Sequence, residues 1–376
     1  MKVVLIPASP ERVGVGVHVL NLASLLHDAG LLDVVICPGE GWLTEQLEDE
    51  RLPFTTLAIS FKPAQFISSN IRLFRYLKSR PSASVVHVHG RFPLFVSSLS
   101  MVLSENLAFV STVHQFSDSE GSGLENQKTG IETFLLKRLR RICCVSEALR
   151  VQVITRLGED HRAKIDYIPN WIRPVESRQG DVDRMTVDDN RHASKKHIKI
   201  CTVGRLVRDK GFDVLIEAMA VLHQRGFEAS CHIFGAGLDE EHLANLIGER
   251  GLSGIVELKG RCSDIQRTLP AYDLLVIPSR SESFSLVALE GFNAGLPIIA
   301  SDIPGLNETV LADTTGLLFE KENVEALVDC IMRVTASDDL ARALILNGNK
   351  FLQDYIPSEQ LLAKFIRFYK EAYEKN

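Results

Sequence analysis

Two glutamates with seven residues between them frame the stretch of this chain whose residue types most suggest chemistry. Residues 278–297 read Pro-Ser-Arg-Ser-Glu282-Ser-Phe284-Ser285-Leu286-Val287-Ala-Leu-Glu290-Gly-Phe-Asn-Ala-Gly-Leu-Pro. The apolar run Leu274–Ile277 predicts a strand, the small residues after it a loop, and Ser285 the start of a helix. Strand, loop and helix N-terminus in that order suit an anion, because amide N–H groups without intrahelical acceptors and the helix dipole point at whatever sits there. Glu282 falls in the loop and Glu290 about five residues into the helix, several Å further along at about 1.5 Å per residue. One ligand could meet amides at its middle and a carboxylate at each end. A nucleotide sugar has that layout, with sugar hydroxyls, a diphosphate and ribose hydroxyls in sequence.

A second loop carries cations. Residues 201–213 read Cys-Thr-Val-Gly204-Arg205-Leu-Val-Arg208-Asp-Lys210-Gly211-Phe-Asp, again strand, loop and helix start. A diphosphate leaving group needs its charge neutralised by a metal or by fixed cations. Arg205 can fork onto phosphate oxygens and Lys210 can add a point charge. Near the start of the chain, Glu11-Arg-Val13-Gly14-Val-Gly16-Val-His18 follows the first apolar run, and Gly14 and Gly16 would let backbone approach a phosphate closely. His18 reads as a capping or packing residue.

Further histidines sit at strand ends. His87-Val-His89-Gly90 closes one strand and His114 follows Val110–Val113. Both ends would lie on the carboxyl edge of a parallel sheet, where open α/β proteins bind ligands. His87 and His89 share one face of their strand, a possible metal pair, but no third ligand is evident from the spacing. The one Asp-x-Asp, Asp181-Val-Asp183, falls in a polar segment rather than at a strand end. No metal is therefore expected, and the reaction is expected to be metal-independent.

The stretch from Glu282 to Glu290, with Ser-Phe-Ser-Leu-Val inside it, resembles the signature of the retaining glycosyltransferases of the GT4 type. Gly204-Arg205…Lys210-Gly211 is similar to their Gly-Arg…Lys-Gly segment, and residues 13–19 to their Gly-Gly-Val-Gly-x-His-Val, with Val13 standing where the first glycine is expected. The resemblance covers nearly the whole chain. It implies the GT-B fold, α/β with two Rossmann-like doubly wound domains facing across a cleft. It implies transfer of a hexose-type unit from a nucleoside-diphosphate sugar to an acceptor hydroxyl with retention at the anomeric carbon, the leaving phosphate taking the acceptor proton. By the same resemblance Glu282 would bind sugar hydroxyls and His114 would lie by the sugar and acceptor. Gly14, Gly16, Arg205, Lys210, Phe284, Ser285, Leu286, Val287, Glu290 and Arg261 would contact the donor, and His89 would sit on the acceptor side. No cofactor is implied; a UDP-sugar is favoured over a GDP-sugar as substrate. A glycan or lipid-linked acceptor in bacterial surface polysaccharide or glycolipid synthesis is the expected context. A nucleotide-sugar 2-epimerase on the same fold, or a non-catalytic binding subunit, remain alternatives. Asn170-Trp171-Ile172-Arg173 departs from the family's Asn-Gly-Ile-Asp.

Positioning these groups requires two sheets. Short β-branched runs alternate with helical periodicity over 1–172 and again from 198, the pattern of parallel α/β structure. Residues 173–197 are polar and aperiodic and read as a linker. The second domain is expected over 198–356, and a final helix, 357–376, carries an aromatic stripe suited to packing back on the first domain. With 376 residues, two domains are the natural division. The net charge of −6 argues against nucleic acid as a partner, and it is uneven, +1 over 1–172 against −7 over the rest. Seven cysteines without CxxC spacing read as reduced core residues of a cytoplasmic protein. The N-terminal Met-Lys-Val-Val-Leu-Ile-Pro reads as a strand rather than a secretory leader. Lys62, Arg72, Arg75, Lys78 and Arg80 interleave with Ile71, Phe74 and Leu77, and Lys137, Arg138, Arg140 and Arg141 lie beside Phe134, Leu135 and Leu136. Such basic-apolar segments suit either a solvated face or an anionic membrane surface, peripheral on its inner side.

Overall fold

The near-continuous apolar runs of the sequence become strands buried on both faces, as parallel sheets demand. The computed structural model describes residues 1–60, 62–80, 82–115, 123–173, 197–262, 264–355 and 357–374. The expected linker, with Asp181 and Asp183, lies outside the described residues except for Arg173 and His197. Two compact units result, one of Met1–Trp171 with Pro357–Asn376 and one of Ile172–Ile356.

In the first unit, β1 (Val3–Ile6), β2 (Leu32–Cys37), β3 (Phe54–Thr56), β4 (Val85–His89), β5 (Ala108–Val113), β6 (Arg141–Cys144) and β7 (Ile165–Tyr167) form a sheet of order β3-β2-β1-β4-β5-β6-β7. Every pairing is parallel, so each connection crosses over through helices: α1 (Gly14–Asp28), α2 (Trp42–Asp49), α3 (Phe66–Lys78), α4 (Arg91–Val96), α5 (Ser98–Leu103), α6 (Gly123–Arg138) and α7 (Glu147–Leu157). The second unit repeats the plan with β8 (Ile198–Val203), β9 (Ala229–Phe234), β10 (Val256–Gly260), β11 (Leu274–Ile277), β12 (Ile298–Ser301) and β13 (Leu317–Phe319), in the order β10-β9-β8-β11-β12-β13. Its helices are α8 (Phe212–Gln224), α9 (Glu240–Glu249), α10 (Ile265–Thr268), α11 (Leu286–Asn293), α12 (Val324–Thr335) and α13 (Asp338–Tyr355). Strand order reverses between β1 and β4 in one unit and between β8 and β11 in the other. At such reversals the loops leaving neighbouring strands diverge and open a crevice at the carboxyl edge.

The last helix, α14 (Ser358–Tyr373), packs on the first unit. Leu361, Phe365, Phe368, Tyr369 and Ala372 are buried and fall on one helical face, whereas Tyr373 is exposed. Tyr369 Oη is hydrogen-bonded to His87 Nδ1 at 2.8 Å. Arg141 is anchored in the same place: it forks onto Asp166 at 2.8 and 2.7 Å and meets Glu371 of α14 at 2.5 Å. This corrects the reading of Arg141 as part of a basic membrane-facing segment, since its guanidinium is buried and serves to fasten α14 across β6 and β7. Leu135 and Leu136 likewise face the core. Cys37, Cys143, Cys144, Cys201 and Cys231 are buried free thiols, and burial pushes Cys37, Cys143 and Cys231 up to about 12, so they stay protonated and inert.

Candidate functional site

The second unit brings the two charged loops of the sequence together at its strand-order reversal. β8 ends at Gly204-Arg205, a 3-10 turn covers Arg208–Lys210, and Gly211 precedes α8. β11 ends beside it and runs through Pro278–Ser285 into α11. The approach is possible because residue 211 is glycine. Its φ is +64°, and a Cβ there would stand 2.0 Å from the Pro278 carbonyl oxygen. Arg280 then clamps the loops: its guanidinium donates to Asp213 at 2.8 and 2.7 Å, to Glu322 at 2.8 Å and to the Arg208 carbonyl at 2.8 Å. The Asp213 carboxylate holds Arg280 still more firmly protonated than usual. Sequence reasoning passed over Arg280. With its fork taken up by two carboxylates it sets the loop in place rather than meeting a ligand.

Within this frame, Lys210 Nζ donates to Glu282 Oε1 at 2.5 Å, and Ser279 Oγ donates to the same oxygen at 3.3 Å. The cation expected at phosphate and the carboxylate expected at sugar hydroxyls are thus one ion pair in this structure, about one-fifth and one-seventh exposed. Arg205 is exposed, and its guanidinium makes no ion pair or hydrogen bond among the described residues. Ser285 caps α11, its Oγ accepting from Ala288 N–H at 3.3 Å. Leu286 and Val287 open the helix, so their N–H groups have no intrahelical acceptor. Glu290 lies one turn further in and is 5% exposed. The ring of Phe284 is buried against Tyr355 at the end of α13, with centroids 6.1 Å apart, which leaves its backbone as the part that faces the loop. Arg261 is exposed just beyond β10.

The first unit places uncharged polar groups at its own reversal. Val13 precedes α1 with φ −130° and ψ 163°, ordinary extended backbone, so valine costs nothing where the resemblance leads one to expect glycine. Gly14 is exposed at the helix start. Gly16 is buried, and a Cβ there would lie 2.6 Å from the Glu11 carbonyl oxygen, so its bareness lets the loop fold against its own helix.

His18, read from sequence as a capping or packing residue, is packed in a cluster with His89 and His114. Its ring centroid is 5.2 Å from that of His89 and 4.8 Å from that of His114. His89 Nδ1 and His114 Nε2 are 3.3 Å apart. His18 Nδ1 is hydrogen-bonded to Asn170 Oδ1 at 2.9 Å, and Trp171 packs on the other side at 5.0 Å. Trp171, the departure from the expected glycine, thus joins Asn170 in the wall behind His18. His18 and His89 are fully buried; His114 keeps partial exposure. Burial disfavours the imidazolium, which lowers His18 to about 4 and His89 and His114 well below the ordinary histidine range. His87, which shares a strand face with His89, is a packing residue, with Nδ1 on Tyr369 and Nε2 on Thr112 at 2.8 Å each. Nothing in residue spacing joins positions 18, 89, 114 and 170; only the strand-order reversal does.

One edge therefore offers helix amides, cations and a carboxylate, and the other offers neutral imidazoles. Two family models match the chain side by side, Glycosyltransferase Family 4 over residues 13–176 and Glycosyl transferases group 1 over 184–351. The chain belongs to the glycosyltransferases. This family member is 24% identical over 347 residues to an uncharacterized glycosyltransferase of Methanocaldococcus jannaschii, covering 91% of this chain and 90% of that one. It is 26% identical over 309 residues to the UDP-Gal:alpha-D-GlcNAc-diphosphoundecaprenol alpha-1,3-galactosyltransferase of Escherichia coli, covering 80% and 79%. Among solved structures, Anabaena HepE in complex with UDP-glucose superposes with a TM-score of 0.82 at 17% identity, over 98% of this chain and 99% of that one. Sucrose-phosphate synthase of Thermosynechococcus elongatus gives 0.79 at 19%, over the whole of both chains. With its two parallel sheets, the glycosyltransferase has the GT-B fold.

Proposed function

We propose that this glycosyltransferase transfers a hexose-type sugar from a UDP-sugar to an acceptor hydroxyl with retention and without a metal ion. The observation that carries the reading is the second unit's strand-order reversal, where Lys210 meets Glu282 between the loop that leaves β8 through Arg205 and the loop that leads from β11 to the N-terminus of α11. The diphosphate of the donor meets the Leu286 and Val287 amides, and its charge draws Lys210 off Glu282. Glu282 is thereby released to accept hydrogen bonds from sugar hydroxyls, and Glu290 accepts from the ribose diol. As the bond from the anomeric carbon to phosphate oxygen breaks, negative charge grows on that oxygen, where fixed cations and amides stabilise it most. The acceptor oxygen bonds to the anomeric carbon from the same face and passes its proton to the departing phosphate. His114, neutral and partly exposed, orients a hydroxyl rather than carrying charge.

Binding of UDP-glucose by HepE and the UDP-galactose in the name of the Escherichia coli relative support uracil as the base. That relative's diphosphoundecaprenol acceptor supports a lipid-linked glycan as substrate. A membrane-surface location fits the exposed Phe66, Ile67 and Ile71 of α3 and the exposed Ile131 and Phe134 of α6, which accompany Arg72, Arg75, Lys78, Lys137 and Arg138. No described helix is long and apolar enough to cross a membrane.

Nucleotide release from a panel of UDP- and GDP-sugars, with EDTA present, tests the reading in the native chain and in Glu290→Ala. Slow consumption of one UDP-sugar by the native chain, lost in the variant, is the expected result. Binding without release even when lipid-linked acceptors are supplied, or consumption that EDTA abolishes, would overturn it.

A further inference from the structure

The geometry points to His18, His89 and His114 as a three-imidazole site for a divalent transition ion of the zinc class. One nitrogen from each ring lies within 4.8 Å of the others. Tetrahedral zinc holds imidazole nitrogens at about 2.0–2.1 Å, which sets them roughly 3.3 Å apart. His89 Nδ1 and His114 Nε2 already stand 3.3 Å apart as a hydrogen-bonded pair, a contact the ion would replace once the donor ring carries its proton on its other nitrogen.

Three further features suit a metal. Asn170 Oδ1 occupies His18 Nδ1, which leaves the Nε2 lone pair for the ion and fixes the ring as outer-sphere partners of metal-bound histidines do. His18 Nε2, the nitrogen offered to the ion, is buried without a hydrogen-bond partner among the described residues. A buried polar atom in that condition costs free energy that a ligand can recover. All three rings are held neutral by burial, so an ion displaces no proton over the physiological range. An all-imidazole set without a carboxylate selects Zn2+, Co2+, Ni2+ or Cu2+ over Mg2+ and Ca2+. The partial exposure of His114 supplies the way in, and a tetrahedral ion would keep its fourth position for water or a hydroxyl.

Occupancy engages His114, the ring that the proposed reaction needs for a hydroxyl. The ion is then an inhibitor and not a participant. That consequence rests on the proposed function, whereas the binding site does not.

Titration of the full chain with Co2+ and then Zn2+, in the absence of any sugar donor, reads the site directly. One equivalent of Co2+ should give the intense visible bands of a tetrahedral ion, bleached by Zn2+. His18→Gln should weaken that binding about tenfold or more. His114→Ala, at the partly exposed ring, should do the same if the first variant folds poorly. His223→Gln, at an exposed histidine of the other unit, should leave it unchanged. Absence of tetrahedral bands at excess Co2+, or bands that persist in both His18→Gln and His114→Ala, would overturn the assignment and leave the transferase reading untouched. Zn2+ should also slow nucleotide release in the native chain, with EDTA restoring it. Full activity of a Zn2+-loaded sample would overturn the inhibitory role alone.

Discussion

The two units share a sheet plan and place their candidate groups at the same point of it, yet the chemistry at those points is opposite. At the β8/β11 reversal the groups are charged: Lys210 with Glu282, Arg280 with Asp213 and Glu322, exposed Arg205, and the first amides of α11. At the β1/β4 reversal they are neutral imidazoles walled by Trp171 and Phe365, with Asn170 behind them. An anion is stabilised by the first set and gains little from the second. An uncharged polyol or hydroxyl suits the second, where donors and acceptors are fixed without net charge. The difference shows how one architecture, used twice, can present opposite chemistry at the same point of its sheet.

The largest effect that separates the halves is expected from Lys210→Ala. With the cation gone and Glu282 left without its partner, kcat/KM for the UDP-sugar should fall about a hundredfold or more, measured as nucleotide release at saturating acceptor. A change under fivefold would remove Lys210 from the anion site.

Gly211→Ala sharpens the same half through the backbone. Residue 211 has φ +64° and no room for a Cβ beside the Pro278 carbonyl, so the loops must separate. A stability loss of about 1–3 kcal/mol in urea unfolding should accompany loss of UDP affinity. Retained UDP affinity would show that the loops need not touch. Ser285→Ala removes the cap of α11 and should cost about 1 kcal/mol.

The imidazole half should announce itself through pH. Its histidines have folded pKa values below the unfolded value near 6.5, with His18 at about 4. The unfolded chain therefore binds more protons as pH falls. The stability that neutral burial contributes is full above about pH 6.5 and is lost progressively toward pH 4. Urea midpoints across this range should decline less in His18→Gln than in the native chain. Parallel slopes would place the acid sensitivity elsewhere.

The smallest effect concerns the outer face. Phe134 is exposed, with Arg138 stacked 4.5 Å over its ring. Phe134→Ser should reduce co-sedimentation with anionic vesicles a few-fold without altering release from a soluble donor. Equal sedimentation would remove α6 from the lipid-facing surface.

The sheets were legible because buried parallel strands are written as apolar runs: Val85–Val88 and Leu274–Val276 can scarcely be anything else. The charged site was legible for the same reason, since its residues lie within single strand-loop-helix units. What escaped were pairings that the fold makes across the chain. Lys210 and Glu282 were read as two ligands of one substrate, and they meet each other 72 residues apart. Arg280 drew no reading from the sequence and is a clamp. Arg141 looked like one of several surface cations, and only the return of α14 shows why it is buried. His18 lies on a helix whose periodicity reads as packing. No local pattern announces that β4, β5 and Asn170 will surround it.

The central claim is that anion recognition belongs to the charged half alone, and UDP binding by calorimetry tests it most directly. Native chain, Lys210→Ala and His114→Ala would be compared at low and high salt. The account predicts that Lys210→Ala weakens UDP binding at least about tenfold and flattens its salt dependence, while His114→Ala binds UDP as the native chain does and loses only turnover. Equal loss of UDP affinity in His114→Ala, or native affinity in Lys210→Ala, would contradict it.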